Sequence, residues 1–441
     1  MKACLRKLGL EVSQQTEAVP SLSRLHLSSA QPLVVSELVH SWHEAGIVSE
    51  VDGQDTMKGE NDTFHLEQTG TWSMGSIAQA VKEALPAAVS EKLPAVSSSS
   101  ESHGQNAERQ ADEATDRLLD YNTITKRLVA HENALPEGKE TPYFNHRAFF
   151  ANLKLYNSKQ RESEGIFGKT LMYGEVVTST NTMLEKNPTW LSHLPIGFTA
   201  AATTQVAGRG RGSNVWVSPP GSLMFSVVMR HSLSLSNTAP VVFIQYLAAL
   251  AIVAGIQGYD RGYDKLPLKL KWPNDVYALD PSRPPAEMAY VKIGGILVNS
   301  SYAGGDYTLV PGVGLNVNNP TSPTTSLSLL AKKAGLPPFT LEKLLASILV
   351  QFEALYARFC RTGFDRQFEE QYYRSWLHSD QIVTLDTEGG ARARIKGITR
   401  AWGLLVAEEL GWEDRPTGRK FELQSDSNSF DFFKGLLKRK V

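Results

Sequence analysis

Apolar segments of two kinds alternate with turn residues from Tyr143 onward, and this alternation limits the folds that the chain can adopt. A short segment such as 222–229 indicates a strand, whereas 341–359 repeats its apolar residues with the spacing of one helix face and ends before Gly363. Strands and long helices within one stretch predict a mixed α/β domain, which we assign to residues 141–372.

The two ends of the chain differ from this central part. In the N-terminal region, residues 1–140, the spacing over 33–51 predicts an amphipathic helix, and the segment 86–116 is so rich in Ser, Ala and Glu that it indicates a linker. After residue 376, short strand-like segments are separated by Gly or Asp turns, which predicts a small β-barrel over 376–441. The predicted strands of that barrel are 382–385, 391–398, 404–408 and 420–423.

Charge and composition exclude several classes of protein. Among the 441 residues, 45 Lys and Arg face 46 Asp and Glu, and this balance gives no overall field that would hold a nucleic acid. The most apolar stretch, 241–256, is shorter than the roughly 20 residues of a membrane span, so it predicts a buried helix. Cys4 and Cys360 are too few for a disulfide scaffold, and we expect a cytoplasmic protein, with a mitochondrial pool as the alternative.

An arginine–glycine segment over 208–212 is the first candidate for chemistry. Glycines let the backbone approach a phosphate, and the guanidinium groups of Arg209 and Arg211 are planar forks for phosphate or carboxylate oxygens. Gln205 precedes the segment, and Trp216 after it fits either a stacking partner for an adenine or an ordinary core residue. A flexible surface loop is the alternative interpretation of the segment.

The segment KWPND, residues 271–275, follows a predicted strand. A tight turn at Pro273 would bring Lys271, Asn274 and Asp275 together. Such a set can neutralise phosphate, coordinate Mg²⁺ and accept a proton, although Pro-Asn-Asp is also a common structural turn.

Lys292 is the one charged residue in the apolar strand predicted over 291–298. Burying a lysine in such a strand costs desolvation free energy unless an anion compensates for it. Either a charged ligand therefore lies opposite Lys292, or the strand is at an edge of the sheet, where the lysine reaches water. The partner strand is predicted over 307–316, and its Gly312-x-Gly314 pattern allows another group to contact the backbone closely.

Ser179, Thr180 and Asn181 stand at a predicted junction of a strand and a helix. Their hydroxyl and amide groups suit the hydrogen bonding of a small polar ring, and they equally suit the capping of the helix. The residues alone leave both uses open.

In this order, the segments resemble the biotin protein ligases, in particular the eukaryotic, fungal-like form. The resemblance covers about 143–441 and includes 173–181, GRGRGSNVW, KWPND, KIGGILVNS and GVGLNVNN. Residues 4–28 resemble a piece of the long eukaryotic enzymes just ahead of their catalytic part. On this resemblance, we expect a form of the enzyme that lacks their large upstream region. The implied fold is an α/β catalytic domain of the biotin/lipoate protein ligase type, with a mixed sheet, followed by an SH3-like barrel.

The resemblance implies an enzyme that attaches biotin to a lysine of biotin carrier domains through biotinyl-5'-AMP. It implies ATP, Mg²⁺ and biotin as the small molecules, and the carrier domains of acetyl-CoA carboxylase and pyruvate carboxylase as partners, with neither nucleic acid nor membrane. A lipoate or other acyl-protein ligase of the same fold, and a biotin-binding regulator without ligase activity, are the alternatives. The arginine–glycine segment together with KWPND favours biotin over lipoate.

The resemblance also assigns expected roles to residues of this chain. The implied catalytic residues are Lys292, Arg211, Lys271 and Asp275. The implied biotin-binding residues are Ser179, Thr180, Asn181, Gln205, Gly208, Arg209, Gly210, Arg211, Lys292, Gly294 and Gly295. The implied ATP- and adenylate-binding residues are Arg209, Arg211, Trp216, Lys271, Asn274 and Asn316. No metal-ligand cluster of the protein is expected, and Mg²⁺ would enter with ATP near Asn274 and Asp275.

Overall fold

A computed structural model describes most of the chain, namely residues 21–69, 121, 123–210, 212, 214–216, 218–273, 275–284, 287–319, 325–425, 428–431 and 436–439. The predicted linker over 86–116, Arg211 and Asn274 lie outside these residues. The strands are β1 Leu25–Ser29, β2 Val48–Val51, β3 Gln54–Lys58, β4 Thr63–Gln68, β5 Lys126–Ala130, β6 Thr170–Val177, β7 Thr199–Gln205, β8 Ser222–Val227, β9 Met229–Ser232, β10 Leu268–Lys271, β11 Asp275–Leu279, β12 Tyr290–Ala303, β13 Asp306–Asn316, β14 Ile382–Leu385, β15 Ala391–Ile398, β16 Leu405–Leu410, β17 Pro416–Leu423, β18 Asn428–Asp431 and β19 Leu436–Arg439. The helices are α1 Pro32–Glu44, α2 His146–Lys159, α3 Thr180–Glu185, α4 Pro188–Ser192, α5 Ile244–Gln257, α6 Leu327–Lys333, α7 Leu341–Thr362 and α8 Arg366–Ser375.

One mixed sheet joins β1 to β13. Its order is β10-β11-β12-β13-β8-β7-β6-β1-β5-β4-β3-β2, and β9 pairs with β13 outside this path. The strands from β10 to β13 form antiparallel hairpins, whereas β6 runs parallel to β7 and β5 runs parallel to both β1 and β4. The predicted mixed α/β class is confirmed.

Both faces of this sheet are covered by a hydrophobic core. Because successive side chains of a strand point to opposite faces, one strand contributes to both cores. On β6, Leu171 and Tyr173 join the core cluster that contains α5 and α7. Met172, between them, joins the cluster on the other face with Trp42 of α1 and Trp190 of α4.

The two long helices that cover one face were both expected from the sequence. The apolar stretch 241–256 forms a short 3₁₀ turn followed by α5, and the helix predicted over 341–359 is α7. They approach closely at Gly255, where a Cβ atom would lie 2.6 Å from Ile348 Cγ1. No helix in the described part of the chain is long and apolar enough to cross a membrane.

The N-terminal region corrects one expectation. The helix predicted over 33–51 ends at Glu44, Gly46 adopts a φ of 68°, and the last four residues of the predicted helix form β2. Strand β1 pairs antiparallel with β6, with Leu25 opposite Gly174. The sheet therefore continues across residue 140, and the division into three domains stays a prediction.

A second sheet forms the C-terminal end, in the order β17-β16-β15-β14-β19-β18. Strands β14 and β15 have the bounds predicted from the sequence. Strand β16 begins one residue later and ends two residues later than predicted, and β17 begins four residues earlier. The loop that precedes β16 contacts helix α5, because the Tyr246 hydroxyl donates to Gly403 O at 2.6 Å. Trp272 Nε1 in turn donates to the Tyr246 hydroxyl at 2.9 Å, so the two sheets meet beside KWPND. A small C-terminal β domain is thus confirmed.

Candidate functional site

A cavity of about 470 Å³ opens between the first sheet, the start of α3 and the arginine–glycine segment. Many residues singled out in the sequence line it: Ser179, Thr180, Asn181, Gln205, Arg209, Gly210, Trp216, Lys271, Asp275, Lys292 and Gly295. These residues come from separate segments, so the sheet topology brings them together.

Two parallel strands explain why the polar residues meet. In β6 and β7, Val177 is opposite Gln205, so both strands end at the same edge of the sheet. The chain turns there into α3, and Ser179 Oγ accepts from Thr182 N at 3.3 Å as the cap of that helix. Ser179 therefore caps helix α3 and also lines the cavity.

Four side chains form what we call the polar wall of the cavity, namely Thr180, Asn181, Gln205 and Ser226. The backbone N of Thr180 donates to Gln205 Oε1 at 2.8 Å, and the hydroxyls of Thr180 and Ser226 lie 3.0 Å apart. Asn181 Nδ2 donates to Val310 O at 2.8 Å, whereas its buried Oδ1 has no hydrogen-bond partner among the described residues. A buried acceptor without a partner is costly, so the polar wall is suited to receive an N–H donor from a ligand.

The arginine–glycine segment is a narrow hairpin. Gly210 N donates to Asn214 O at 2.8 Å, and Trp216 N donates to Gly208 O at 2.9 Å. A Cβ atom on Gly208 would lie 2.4 Å from Trp216 O, so this position requires glycine for the hairpin to close. Gly208 supports the hairpin and does not line the cavity.

Arg209 points its guanidinium toward α3, where Nη1 lies 3.1 Å from Glu185 Oε1. The arginine side chain is 45% exposed, so a phosphate or carboxylate that enters the cavity can compete for it. Arg211, the second arginine of the segment, lies outside the described residues, and its assigned role stays a prediction.

Trp216 lies against strands β12 and β13, and glycines allow this contact. A Cβ atom on Gly314 would lie 2.5 Å from Trp216 Nε1, and one on Gly295 would lie 3.3 Å from Cζ3. Lys292 Nζ lies 5.5 Å from the centre of the indole ring. Trp216 is thus a half-buried side chain of the cavity wall, beside a cation.

The hairpin of β10 and β11 brings the charged residues of KWPND to the cavity. Lys271 and Asp275 are directly opposite each other, as the turn at Pro273 predicts. Lys292 on the next strand extends Nζ to 2.7 Å from Asp275 Oδ1, with the two side chains 40% and 20% exposed. All three side chains line the cavity, and two lysines against one carboxylate leave a local excess of positive charge that can hold a polyphosphate.

The structure does not bring every predicted site residue to the cavity. Gly294 is next to Gly295 on β12, but a Cβ atom on it would face Leu315 at 2.9 Å and not the cavity. Asn316 is buried at the end of β13, opposite Ser222, and does not line the cavity either. Their assigned roles stay predictions, as does that of Asn274, which lies outside the described residues.

Sequence reasoning missed several residues that line the cavity. Ser226 lies on β8, and no local pattern distinguishes it from the other residues of that strand. Gly312 was visible in the Gly-x-Gly pattern, and a Cβ atom on it would lie 3.0 Å from Asn181 Nδ2. Ser425, which follows β17, shows that the C-terminal β domain also contributes to the cavity.

The cavity is joined to the C-terminal β domain through His378. Trp272, which lines the cavity, donates its backbone N–H to His378 Nε2 at 3.0 Å. Burial lowers the pKa of His378 to about 3, the hydrogen bond to Gln381 opposes this shift, and the charge of Lys271 adds to it. The neutral ring is required here, because a protonated Nε2 cannot accept from Trp272.

This pKa shift predicts a loss of stability in mild acid. The unfolded chain takes up a proton near pH 6.5 and the folded chain only near pH 3, so His378 alone removes about 1 kcal/mol of unfolding free energy per pH unit within that window. In His378→Gln, urea unfolding at pH 7.5 and 5.5 should show a smaller loss than in the wild type. Buried His26 and His146 also have pKa values of about 3, but both are present in the wild type and in the variant. Their contribution to the loss is therefore the same in the two proteins. Equal losses in the two proteins would contradict the prediction.

Comparisons with known proteins agree with this geometry. The model of the Biotin/lipoate A/B protein ligase family matches residues 173–316, a range that includes all lining residues of the cavity except Ser425. The fold and the cavity thus define a protein of the biotin and lipoate ligase class.

Two curated relatives narrow this class, and one solved structure is also similar to the chain. The biotin-protein ligase of Schizosaccharomyces pombe is 41% identical over 284 residues, which are 62% of this chain and 44% of that protein. The chloroplastic biotin-protein ligase 1 of Arabidopsis thaliana is 34% identical over 286 residues, 62% of this chain and 70% of the plant protein. The biotin protein ligase of Aquifex aeolicus, solved in complex with biotin and ATP, matches 61% of this chain and 99% of its own, with 22% identity and a TM-score of 0.41.

The chain belongs to the biotin protein ligase family, as its motifs predict. The matched part spans less than half of the length of the fission yeast relative.

Proposed function

We propose that this chain attaches biotin to a lysine of a biotin carrier domain in two ATP-dependent half-reactions. One observation carries the proposal: the polar wall and the charged residues Lys271, Asp275 and Lys292 line the same cavity. A neutral polar ring and a polyphosphate can bind side by side there, which is what formation of an acyl-adenylate requires.

In the first half-reaction, a carboxylate oxygen of biotin attacks the α-phosphorus of ATP. The bond between the α-phosphorus and the oxygen that bridges it to the β-phosphorus breaks. Pyrophosphate leaves, and biotinyl-5'-AMP forms. The polar wall supports binding of the ureido ring of biotin, because the ring has N–H donors and Asn181 Oδ1 is an acceptor that has no partner within the described part of the chain.

Negative charge increases on the phosphate oxygens during this step, so cations placed beforehand at the cavity stabilise the transition state. Lys292 is the best placed of these cations, because its ion pair with Asp275 and its position beside the Trp216 ring limit the motion of its ammonium group. We assign Lys271 and Arg209 to the nucleotide phosphates and Trp216 to the adenylate, in keeping with their positions in the cavity wall.

Mg²⁺ would accompany ATP, and the donor set at the cavity fits it. The Asp275 carboxylate is an oxygen ligand of the kind that Mg²⁺ prefers, and its 20% exposure leaves an oxygen accessible from the cavity. When bound, the ion would neutralise phosphate charge. Asp275 is the residue of the described chain that we assign to hold it.

In the second half-reaction, the amine of a carrier lysine attacks the carbonyl carbon of biotinyl-5'-AMP. An amide bond forms, the acyl-phosphate bond breaks, AMP leaves, and the amine loses a proton. We assign Asp275 to orient that amine or to accept its proton, because among the described residues it is the carboxylate that lines the cavity. We propose the biotin carrier domains of acetyl-CoA carboxylase and pyruvate carboxylase as acceptors, and the cytoplasm as the location.

Biotin-dependent exchange of radiolabelled pyrophosphate into ATP tests the first half-reaction. The purified chain should support exchange with biotin and not with lipoate, and it should then label a biotin carrier domain but not the same domain with its acceptor lysine replaced by arginine. Exchange with lipoate would indicate a lipoate ligase. Biotin binding without exchange would indicate a binding protein, and either outcome would overturn the proposal.

A further inference from the structure

A second cavity, of about 700 Å³, lies where the N-terminal region meets α2. Its wall includes two histidines, three carboxylates and three cationic side chains, namely His26, His131, Glu137, Glu140, Glu175, Arg24, Lys139 and Arg147. The two histidines and Glu140 form a cluster within this wall. None of these residues lines the first cavity, and the proposed ligase reaction does not use them.

Strand pairing brings the two histidines together although 105 residues separate them. His26 lies on β1 and His131 follows β5, and these strands run parallel with Leu27 opposite Ala130. His131 N continues the ladder by donating to Leu27 O at 3.0 Å. The histidine side chains are therefore placed by backbone hydrogen bonds and not by a flexible loop.

The three potential ligand atoms lie close together. His26 Nδ1 and His131 Nε2 are 3.0 Å apart. One ring nitrogen of each histidine and a carboxylate oxygen of Glu140 all lie within 4.8 Å of one another. With zinc–nitrogen bonds of about 2.0–2.1 Å, two ligands at the corners of a tetrahedron would lie about 3.3 Å apart. The observed separation of the ring nitrogens is thus near the value that Zn²⁺ needs.

The surroundings favour a metal ligand over a charged histidine pair. His26 and His131 are 5% and 3% exposed, and two protonated rings this close would repel each other without water between them. Neutral rings offer lone pairs for a metal. Glu140 supplies negative charge, and the backbone N of Glu137 holds its carboxylate with a hydrogen bond of 2.8 Å.

We propose that His26, His131 and Glu140 form a Zn²⁺ site, with a fourth coordination position open to the second cavity. Two imidazoles and one carboxylate with an open position make a donor set that zinc accepts in proteins. The ion would connect β1, the end of β5 and the segment that precedes α2, and would fix that segment to the first sheet.

A competition titration tests this site. The full chain is treated with a chelator, desalted, and titrated with Zn²⁺ in the presence of a chromophoric chelator, with Mg²⁺ as the hard-ion control. The wild type should bind one Zn²⁺ per chain and should melt at a higher temperature with Zn²⁺ than without it. Glu140→Gln, which keeps the size of the side chain, should weaken binding at least about tenfold and remove the rise in melting temperature.

Two further variants make the result decisive. His131→Gln should weaken Zn²⁺ binding as Glu140→Gln does, whereas His193→Gln, at an exposed histidine between α4 and β7, should leave it unchanged. Circular dichroism of each metal-free variant checks that it is folded, and Glu140→Gln remains informative if His131→Gln does not fold. Absence of stoichiometric Zn²⁺ binding, or equal binding by wild type and Glu140→Gln, would overturn the site and leave a histidine–histidine hydrogen bond.

Discussion

Replacement of Lys292 by alanine should lower the rate of biotin-dependent pyrophosphate exchange by about 100-fold or more, the effect expected when one preorganised group that stabilises transition-state charge is removed. Lys292 Nζ lies at the cavity, 2.7 Å from Asp275 Oδ1 and 5.5 Å from the centre of the Trp216 ring. The ammonium group is thus already oriented before ATP binds. Its removal also leaves Asp275 without that partner, and the carboxylate would repel the phosphates.

Two variants separate the loss of charge from the loss of folding. Lys292→Arg keeps a cation on the same strand and should retain more exchange activity than Lys292→Ala. Lys332→Ala removes an exposed lysine from the last turn of α6, outside the cavity, and should leave exchange unchanged. If Lys292→Ala exchanges pyrophosphate within threefold of the wild-type rate while its melting temperature is preserved, Lys292 has no part in adenylation.

Local patterns allowed a large part of the site to be predicted. The hairpin at KWPND, the strand that contains Lys292 and the capped start of α3 each depend on neighbouring residues, because turn residues and alternation act over a few positions. The long amphipathic helix α7 was equally visible, since its apolar residues recur on one face along the helix.

Contacts between distant segments could not be predicted in the same way. Ser226 belongs to the polar wall because β8 crosses beneath α3, and the serine itself has no local signature. His26 and His131 meet through a parallel pairing of β1 and β5, which requires a long connection. The helix predicted over 33–51 was too long because Gly46 and the pairing of β2 with β3 outweigh the helical spacing of the apolar residues.

The N-terminal region also contains a buried ion pair, and it predicts a large effect on stability. Lys126 Nζ of β5 donates to Asp62 Oδ1, and the two side chains are 3% and 1% exposed. Lys126→Met should lower the unfolding free energy by about 3–5 kcal/mol, because it leaves the Asp62 carboxylate buried without its countercharge. Urea unfolding followed by circular dichroism measures this loss.

A second substitution should restore much of that loss, and the comparison tests how the N-terminal region is attached. Asn187, which precedes α4, donates from Nδ2 to Asp62 Oδ2 at 2.8 Å and accepts from the backbone N atoms of Asn61 and Asp62 at 3.0 Å. Asp62→Asn combined with Lys126→Met removes both charges and keeps an amide that can bond to Asn187, so the double variant should be more stable than Lys126→Met alone. Asn187 lies beyond residue 140, so its hydrogen bonds connect the N-terminal region to the rest of the chain. The loss of stability in Lys126→Met should therefore appear in the unfolding of the whole sheet. A loss below about 1 kcal/mol would mean that water reaches Asp62 and that strands β1 to β5 open independently of the rest of the sheet.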